Sequence, residues 1–299
     1  MSALGSAVQE ATLRLKQGRH AERARRDAET LLLHVVGKNR AWLMAHLDED
    51  LGEEDAARFA LLIARRALGE PIQYITGEQE FFGLPFGVTP DVLIPRPETE
   101  HLVERAVELA SGLTGVRILD VGTGSGAIAV ALAHELPQAQ ITALDISAAA
   151  LGIARGNAER NGVAGRIDFK LSDLLGAVEG ERFAMIVSNL PYVPEGDRGS
   201  LAVEVREHEP VLALFAGEDG LDVYRRLIPA AFAALEDGGF LLMEIGYGQS
   251  QAVSELLGDA GFAGIEFVPD LQGILRVACG RRVSAGRGSG HKRSSHKHH

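Results

Sequence analysis

Three glycines stand where an apolar run meets a helix-like segment. The stretch ILDVGTGSGAIAVALA predicts a strand, then a turn made of Gly122, Thr123, Gly124, Ser125 and Gly126, then the start of a helix. Glycine lets the backbone approach a ligand closely, and a helix N-terminus presents free N–H groups. The segment therefore indicates a binding site for a nucleotide-like cofactor.

Asp145 ends the next predicted strand, nineteen residues after Gly126. An acidic side chain at this distance can accept hydrogen bonds from both hydroxyl groups of a ribose. The turn and the acid together are better evidence for a cofactor than either is alone. They also suit a nicotinamide dinucleotide, so a nicotinamide-dependent oxidoreductase stays open on these residues.

A second motif lies in FAMIVSNLPYVP, residues 183–194. Its predicted strand delivers Asn189, Leu190, Pro191 and Tyr192 at the carboxyl end, and ligands of open parallel sheets bind beyond the carboxyl ends of the strands. If this strand lies beside the strand of the glycine turn, Asn189 faces the cofactor. A lone Asn after a strand is also a common turn cap.

Asn-Leu-Pro-Tyr resembles the Asn-Pro-Pro-Tyr signature of methyltransferases that act on planar amide or exocyclic amino nitrogens. Further segments resemble one branch, the HemK/PrmC-type protein-glutamine methyltransferases of peptide chain release factors. These segments are IPRPETE (94–100), DVGTGSGAIA (120–129), EP followed by GEDGLDVYRRLI (209–228) and LLMEIGYGQ (241–249). The resemblance covers about residues 20–280. Leu190 departs from it, because the family has proline there, whose ring fixes φ.

The resemblance implies transfer of a methyl group from S-adenosyl-L-methionine to the glutamine of the Gly-Gly-Gln motif in class I release factors. It places the cofactor against residues 122–126, with the ribose on Asp145. The adenine would lie near Asp173 and Leu174, and the methionine end near Asn189.

The same resemblance places the substrate glutamine beside the Asn-Leu-Pro-Tyr motif. An amide nitrogen is a weak nucleophile because its lone pair is delocalised into the carbonyl, so geometry must do most of the catalysis. The Asn189 side-chain oxygen and the Leu190 carbonyl could hold both amide hydrogens and aim the nitrogen at the methyl group, at roughly 3–3.5 Å. Tyr192 could pack on the flat amide face, and no strong base is required.

The segment that resembles the family's Pro-Arg-Pro-Glu-Thr-Glu would border the mouth of the site. Its candidate residues are Arg96 and Glu98, which we assign to substrate binding, and Thr99. The same residues suit the start of a helix, because Pro97 is favoured in a first turn. Both interpretations stand at this point.

Two further functions would use the same motifs. A methyltransferase for adenine amino groups in nucleic acid would share Asn189–Tyr192, and a cofactor-binding protein with little turnover would follow if Leu190 disabled the loop. The chain carries 30 Lys and Arg against 41 Asp and Glu, a net charge of −11. Because an acidic body repels phosphates, we expect no direct binding of long nucleic acids.

Strand-like and helix-like runs alternate beyond Gly115, which is typical of a parallel sheet with helices on both faces. The predicted strands are Val116–Val121, Gln140–Leu144, Arg166–Lys170, Phe183–Ser188 and Phe240–Ile245, with helices such as Ala127–Glu135, Ala148–Asn161 and Leu221–Leu235. Two more strands, Ala263–Val268 and Gly273–Ala278, are close enough for an antiparallel hairpin. We predict an α/β chain, which the resemblance makes a Rossmann-like class I S-adenosylmethionine-dependent methyltransferase.

The rest of the chain divides by composition and periodicity. Residues 1–75 have helical spacing without a strand pattern and predict an all-helical bundle, which we expect to dock the protein substrate because a tripeptide offers too little surface. Residues 76–111 predict a hairpin linker and a connecting helix, and residues 112–280 the methyltransferase domain. The basic, Gly/Ser-rich residues 281–299 predict a disordered tail.

Other features limit the location and the chemistry. No run approaches the ~18 apolar residues of a membrane helix, no leader precedes the first helix, and Cys279 is the only cysteine. These features predict a cytoplasmic protein without a membrane partner. Glu204, Glu207, His208 and Glu209 follow no metal-ligand spacing, so we expect a solvated face and no metal.

Overall fold

A computed structural model of the chain describes residues 2–283, and the predicted tail beyond residue 283 lies outside this range. The helices are α1 Leu4–Lys16, α2 Ala24–Val36, α3 Arg40–Ala45, α4 Glu53–Ala67, α5 Ile72–Thr76, α6 Glu100–Ala110, α7 Ala127–Glu135, α8 Ala148–Arg160, α9 Val203–His208, α10 Asp222–Ala234 and α11 Ser250–Asp259. The strands are β1 Ser2–Ala3, β2 Asp50–Leu51, β3 Glu78–Phe81, β4 Leu84–Gly87, β5 Arg117–Val121, β6 Gln140–Asp145, β7 Ile167–Leu171, β8 Phe183–Ser188, β9 Leu235–Glu244, β10 Phe262–Pro269 and β11 Leu275–Arg282.

A seven-stranded sheet forms the centre of the larger part of the molecule, in the order β10-β11-β9-β8-β5-β6-β7. Strands β5 to β9 pair in parallel, and β11 pairs antiparallel with both β10 and β9. The predicted parallel sheet with a closing antiparallel hairpin is confirmed. Alternate side chains of β5 enter different cores: Ile118 packs with α6 and α7, and Leu119 packs with α10 and α11. Helices therefore cover both faces.

The order of the strands brings the two sequence motifs together. The chain leaves β5 toward β6 and β7 on one side, and β8 returns to the other side of β5 with Ser188 opposite Val121. The glycine turn follows Val121 and the Asn-Leu-Pro-Tyr motif follows Ser188. Both motifs thus lie at the point where strand order reverses, where open α/β sheets bind ligands.

Several boundaries differ from the sequence prediction. Strand β9 begins at Leu235 rather than Phe240, and β11 extends through Arg281 and Arg282, the first two residues of the predicted tail. The N-terminal region is not entirely helical, because β1 pairs with β2. Strands of two residues are too short to leave an alternating pattern. The predicted hairpin between the bundle and the sheet is formed by β3 and β4.

Arg66 joins the N-terminal helices to the chain that follows the Asn-Leu-Pro-Tyr motif. Its side chain is 1% exposed, and Nε donates to Asp27 Oδ2 of α2 at 2.6 Å. Nη1 donates to the carbonyl of Glu70 at 2.8 Å and to Glu204 Oε2 of α9 at 3.0 Å. A guanidinium suits this junction because its planar fork serves several acceptors at once.

Replacement of Arg66 by alanine should destabilise the folded chain by about 3–5 kcal/mol, because it leaves the buried Asp27 carboxylate unpaired. Urea unfolding followed by circular dichroism measures this loss. The matched control is the neighbouring Arg65→Ala, which removes a largely exposed pair with Glu70 and should cost no more than about 1 kcal/mol. Equal losses in the two variants would contradict the assignment of Arg66 as the buried link.

Candidate active site

The glycine turn after β5 has a backbone that residues with side chains rarely adopt. Gly122, Gly124 and Gly126 have φ angles of +76°, +56° and +82°. The N–H groups of Gly122 and Thr123 both donate to the carbonyl of Leu144, at 2.8 and 2.9 Å, which holds the turn against the end of β6. The turn therefore has a fixed shape that depends on the left-handed conformation of glycine.

Asp145 organises the same turn with both carboxylate oxygens. Oδ2 accepts from the N–H of Gly124 and Oδ1 from the N–H of Ser147, each at 2.8 Å. A carboxylate oxygen has two lone pairs, so each can accept a further hydrogen bond. Asp145 can thus order the turn and still receive the hydroxyl groups of a ribose.

The loop after β8 packs directly on the glycine turn. Leu190 is buried, and a Cβ built on Gly122 would lie 2.5 Å from Leu190 Cδ2. The backbone carbonyl of Tyr192 accepts from Gln249 Nε2 at 2.9 Å, and Gln249 Oε1 accepts from the N–H of Gly246. Where the resembling family has proline, this chain holds the loop by packing and by hydrogen bonds from the segment after β9.

A hydrogen-bond network connects the loop to two distant segments. Asn189 Nδ2 donates to Thr99 Oγ1 at 3.0 Å, and Thr99 Oγ1 donates to Glu244 Oε2 at 2.5 Å. The hydroxyl of Tyr192 donates to Glu244 Oε1 at 3.1 Å. Burial raises the pKa of the Glu244 carboxyl, and its hydrogen bonds from Thr99 and Tyr192 act in the opposite direction.

A cavity of about 370 Å³ lies between the glycine turn and this loop. Most of the predicted site residues line it: Gly122, Thr123, Gly124, Ser125, Asp145, Asp173, Leu174, Asn189, Leu190, Pro191 and Arg96. Gly126, Tyr192 and Glu98 are not among its lining residues. Gly126 instead makes room for helix packing, because a Cβ there would lie 3.0 Å from Ala154 Cβ of α8.

The cavity also has walls that sequence reasoning did not assign. Val92 and Leu93 come from the segment before α6, Ile146 and Ser147 follow β6, and Leu212, Phe215, Val223 and Arg226 come from the chain between β8 and β9. Arg226 Nη2 pairs with Asp173 Oδ2 at 2.7 Å. No periodic or charge pattern distinguishes these residues, since they become neighbours only through the sheet topology.

The expectation of a solvated face at residues 204–209 is wrong for two of its members. Glu209 is 4% exposed, and its Oε1 accepts from Arg96 Nη2 at 2.5 Å. Glu204 accepts from the buried Arg66. Both carboxylates join this segment to other parts of the chain through arginines more than 100 residues away, and sequence spacing gives no sign of that. Within residues 2–283 no cluster of His, Cys, Asp and Glu could hold a metal ion.

Comparison with known proteins agrees with the geometry. The family described as the PrmC N-terminal domain matches residues 6–77, and the methyltransferase small domain matches residues 99–205. The release factor glutamine methyltransferase of Koribacter versatilis (strain Ellin345) is 47% identical over 87% of this chain and 92% of its own length. This chain belongs to the release factor glutamine methyltransferase family. The family resemblance predicted from the sequence is confirmed.

Other matches support the family and the fold. The release factor glutamine methyltransferase of Geobacter sulfurreducens (strain ATCC 51573 / DSM 12127 / PCA) is 45% identical over 87% of this chain and 90% of its own length. Among solved structures, the hMettl16 catalytic domain in complex with MAT2A 3′UTR hairpin 6 has a TM-score of 0.55 at 18% identity, over 78% of this chain and 83% of that chain. At that identity the likeness establishes the fold alone, and the predicted class I methyltransferase fold is confirmed. Within residues 2–283 of this chain, no helix is long and apolar enough to cross a membrane.

Asp120 lies beneath the glycine turn and is completely buried. Its Oδ2 accepts from the hydroxyl of Thr123 at 2.6 Å. Burial nevertheless raises the pKa of the Asp120 carboxyl from 3.8 to about 7, because desolvation disfavours the charged form more than this hydrogen bond favours it.

This shift predicts a pH-dependent stability difference between the wild type and Asp120→Asn. The unfolded chain releases the Asp120 proton near its ordinary pKa of 3.8 and the folded chain only near pH 7. The wild type should therefore lose unfolding free energy relative to the variant as the pH rises through this interval, and the difference should be constant above it. Urea unfolding of both proteins across the interval tests this, and parallel curves would refute it.

Proposed function

We propose that this chain transfers a methyl group from S-adenosyl-L-methionine to the side-chain amide nitrogen of the glutamine in the Gly-Gly-Gln motif of class I release factors. The observation that carries the proposal is the meeting, in one cavity, of the glycine turn with Asp145 and of the loop with Asn189. The first group suits a ribose-bearing cofactor and the second a planar amide. Family membership supplies the class of protein substrate.

The residues around the turn fit the cofactor. Nothing lies within 4 Å of the position that a Cβ on Gly124 would occupy, so the backbone is open to a ligand there. Asp145 would hold the ribose hydroxyls, and Asp173 and Leu174 line the cavity where the adenine would lie. When bound, the cofactor supplies an electrophilic methyl group on a positively charged sulfur.

Asn189 and Leu190 would position the substrate amide. The Asn189 side-chain oxygen and the Leu190 carbonyl would each accept one amide hydrogen, which fixes the direction of the nitrogen. Positioning of this kind supplies several kcal/mol of the barrier reduction, up to about 7–11 kcal/mol when the geometry is ideal. Arg96, held by Glu209, would form part of the cavity wall near the entering glutamine.

Tyr192 would act mainly on the shape of the loop. Its hydroxyl donates to the buried Glu244 and its carbonyl accepts from Gln249. These contacts hold both ends of the residue that closes the motif. The pKa of the Tyr192 hydroxyl is raised, chiefly by burial and then by the neighbouring Glu244, so it stays protonated and keeps donating at neutral pH.

The alternatives are less favoured. A nicotinamide-dependent oxidoreductase would leave the Asn189 loop without a role, and the methyltransferase small domain matches residues 99–205. A methyltransferase for adenine amino groups in nucleic acid would use the same loop. The net charge of −11 opposes binding of long nucleic acids, and the relatives at 45–47% identity are named for release factors.

The direct test is peptide mass spectrometry of a bacterial release factor incubated with this chain and S-adenosylmethionine. We expect one added methyl group on the Gly-Gly-Gln glutamine with the wild type and at least about a hundredfold less with Asn189→Ala, because the amide nitrogen is no longer aimed. Cofactor binding by both proteins, measured by calorimetry, is the control. Cofactor binding without methylation by the wild type would contradict the proposal.

We also propose that the N-terminal helices dock the body of the release factor. The bundle is tied through Arg66 to Glu204, twelve residues after Tyr192, so a protein bound to it would be held at a defined position relative to the loop. Three large apolar side chains, Leu13, Leu61 and Leu68, are 57%, 67% and 74% exposed.

Serine at Leu13, Leu61 and Leu68 together should raise the KM for an intact release factor at least about tenfold, since each lost apolar contact weakens binding by about 1 kcal/mol. The KM for a short Gly-Gly-Gln peptide should not change. Leu271→Ser, at a leucine of the methyltransferase domain that is 97% exposed, is the matched control and should alter neither value. Equal changes for protein and peptide would argue against docking by the bundle.

A further inference from the structure

The Asn189 side chain is hydrogen-bonded to Thr99, a residue outside the Asn-Leu-Pro-Tyr motif. Thr99 is 4% exposed and lies between Asn189 and Glu244, which is 2% exposed. The hydroxyl of Thr99 donates to Glu244 Oε2 at 2.5 Å, at the short end of the range for O–H···O hydrogen bonds. The single hydroxyl proton of Thr99 is therefore committed to Glu244.

This commitment fixes the direction of the next hydrogen bond. With its proton on Glu244, the Thr99 oxygen can only accept, and the Asn189 group that faces it must be the NH₂ group. The Asn189 oxygen then remains for other partners, and within residues 2–283 no hydrogen bond to it is found. Asn189 lines the cavity, and an amide oxygen can accept an N–H such as that of a glutamine amide.

We propose that Glu244 and Thr99 are positioning residues that make the site select an amide over a carboxylate, by keeping the Asn189 oxygen turned toward the substrate. This inference rests on the proposed function and names the source of its substrate specificity. Glutamine and glutamate differ only in NH₂ against O⁻. A reversed Asn189 would present its NH₂ group and favour the carboxylate.

The hydrogen bonds to Glu244 set this direction, since Thr99 donates to Oε2 and Tyr192 donates to Oε1. Each hydroxyl has one proton, so neither can donate to a second acceptor. Burial is the largest influence on the pKa of the Glu244 carboxyl and raises it; the hydrogen bonds from Thr99 and Tyr192 and the charge of Arg276 of β11 lower it, and the charge of Glu98 raises it. The Tyr224 hydroxyl of α10 donates to the Glu244 carbonyl rather than to its carboxylate.

The test compares Thr99→Val, which removes the hydroxyl at nearly constant shape, with Thr99→Ser, which keeps it. We measure by calorimetry how tightly each protein, with S-adenosylhomocysteine bound, holds an intact release factor and its Gly-Gly-Glu variant. The wild type and Thr99→Ser should prefer the glutamine form, and in Thr99→Val this preference should shrink at least about tenfold, the effect of one misdirected hydrogen bond. Glu244→Gln should shrink it in the same way.

Three controls separate a loss of amide orientation from other causes of a reduced preference for the glutamine form. Affinity for S-adenosylhomocysteine should stay within about threefold of the wild type in every variant, which shows that the cofactor site is folded. Thr142→Val removes another buried threonine hydroxyl, in β6 and outside the cavity lining, and should leave the preference unchanged. In methylation assays kcat should fall with Thr99→Val and recover with Thr99→Ser.

An unchanged preference in Thr99→Val, or an equal loss in Thr99→Ser, would overturn the assignment of Thr99 and Glu244. Failure of the proposed function gives a different result. In that case the wild type itself would not methylate the release factor and would show no preference for the glutamine form.

Discussion

The buried side chain of Glu244 lies at the end of β9, and the neighbouring segments donate hydrogen bonds to its carboxyl group. Removal of such a group from water costs several kcal/mol unless hydrogen bonds replace the lost hydration. Glu244 obtains them from Thr99, which precedes α6, and from Tyr192, which follows β8. These two segments are far apart in sequence, and the hydrogen bonds required by one buried carboxyl group bring both to the end of the same strand. The shape of the cavity beside Asn189 therefore depends on Glu244.

The cavity beside the glycine turn depends on a different constraint, the close approach of the turn and the Asn189 loop. Leu190 packs against Gly122 so tightly that a Cβ would have no room. The glycine turn is in turn held by Asp145, which binds the N–H groups of Gly124 and Ser147. A displacement of the Asn189 loop would therefore also displace the glycine turn. For transfer of a methyl group to a weak nucleophile this rigidity matters, because the relative position of the two reactants supplies much of the rate enhancement.

The sequence predicts the sheet and the two motifs from local patterns, because a strand, the glycine turn after it and the helix that follows are formed by adjacent residues. Strand order then placed Asn189 beside the turn, as the general rule for open parallel sheets requires. The short pair β1 and β2 left no periodic signal. Thr99 and Glu244 both lie in segments that resemble the family, 94–100 and 241–249, but 145 residues separate them. Neither residue type indicates from the sequence which residue it will bind. The sequence predicts a solvated position for Glu209 for the same reason, since the partner that buries it, Arg96, is 113 residues away.

The long-range contacts share one physical feature, because in each of them folding removes at least one of the two polar partners from water. The pairs are Arg66 with Asp27 and Glu204, Arg96 with Glu209, and Thr99 with Glu244, and each joins segments that are distant in the sequence. Apolar packing is non-directional and sets which elements meet. Hydrogen bonds between buried polar groups are directional, so they set at what angle and in which rotamer the elements meet. The proposed orientation of the Asn189 amide depends on the second kind of contact, its hydrogen bond to Thr99.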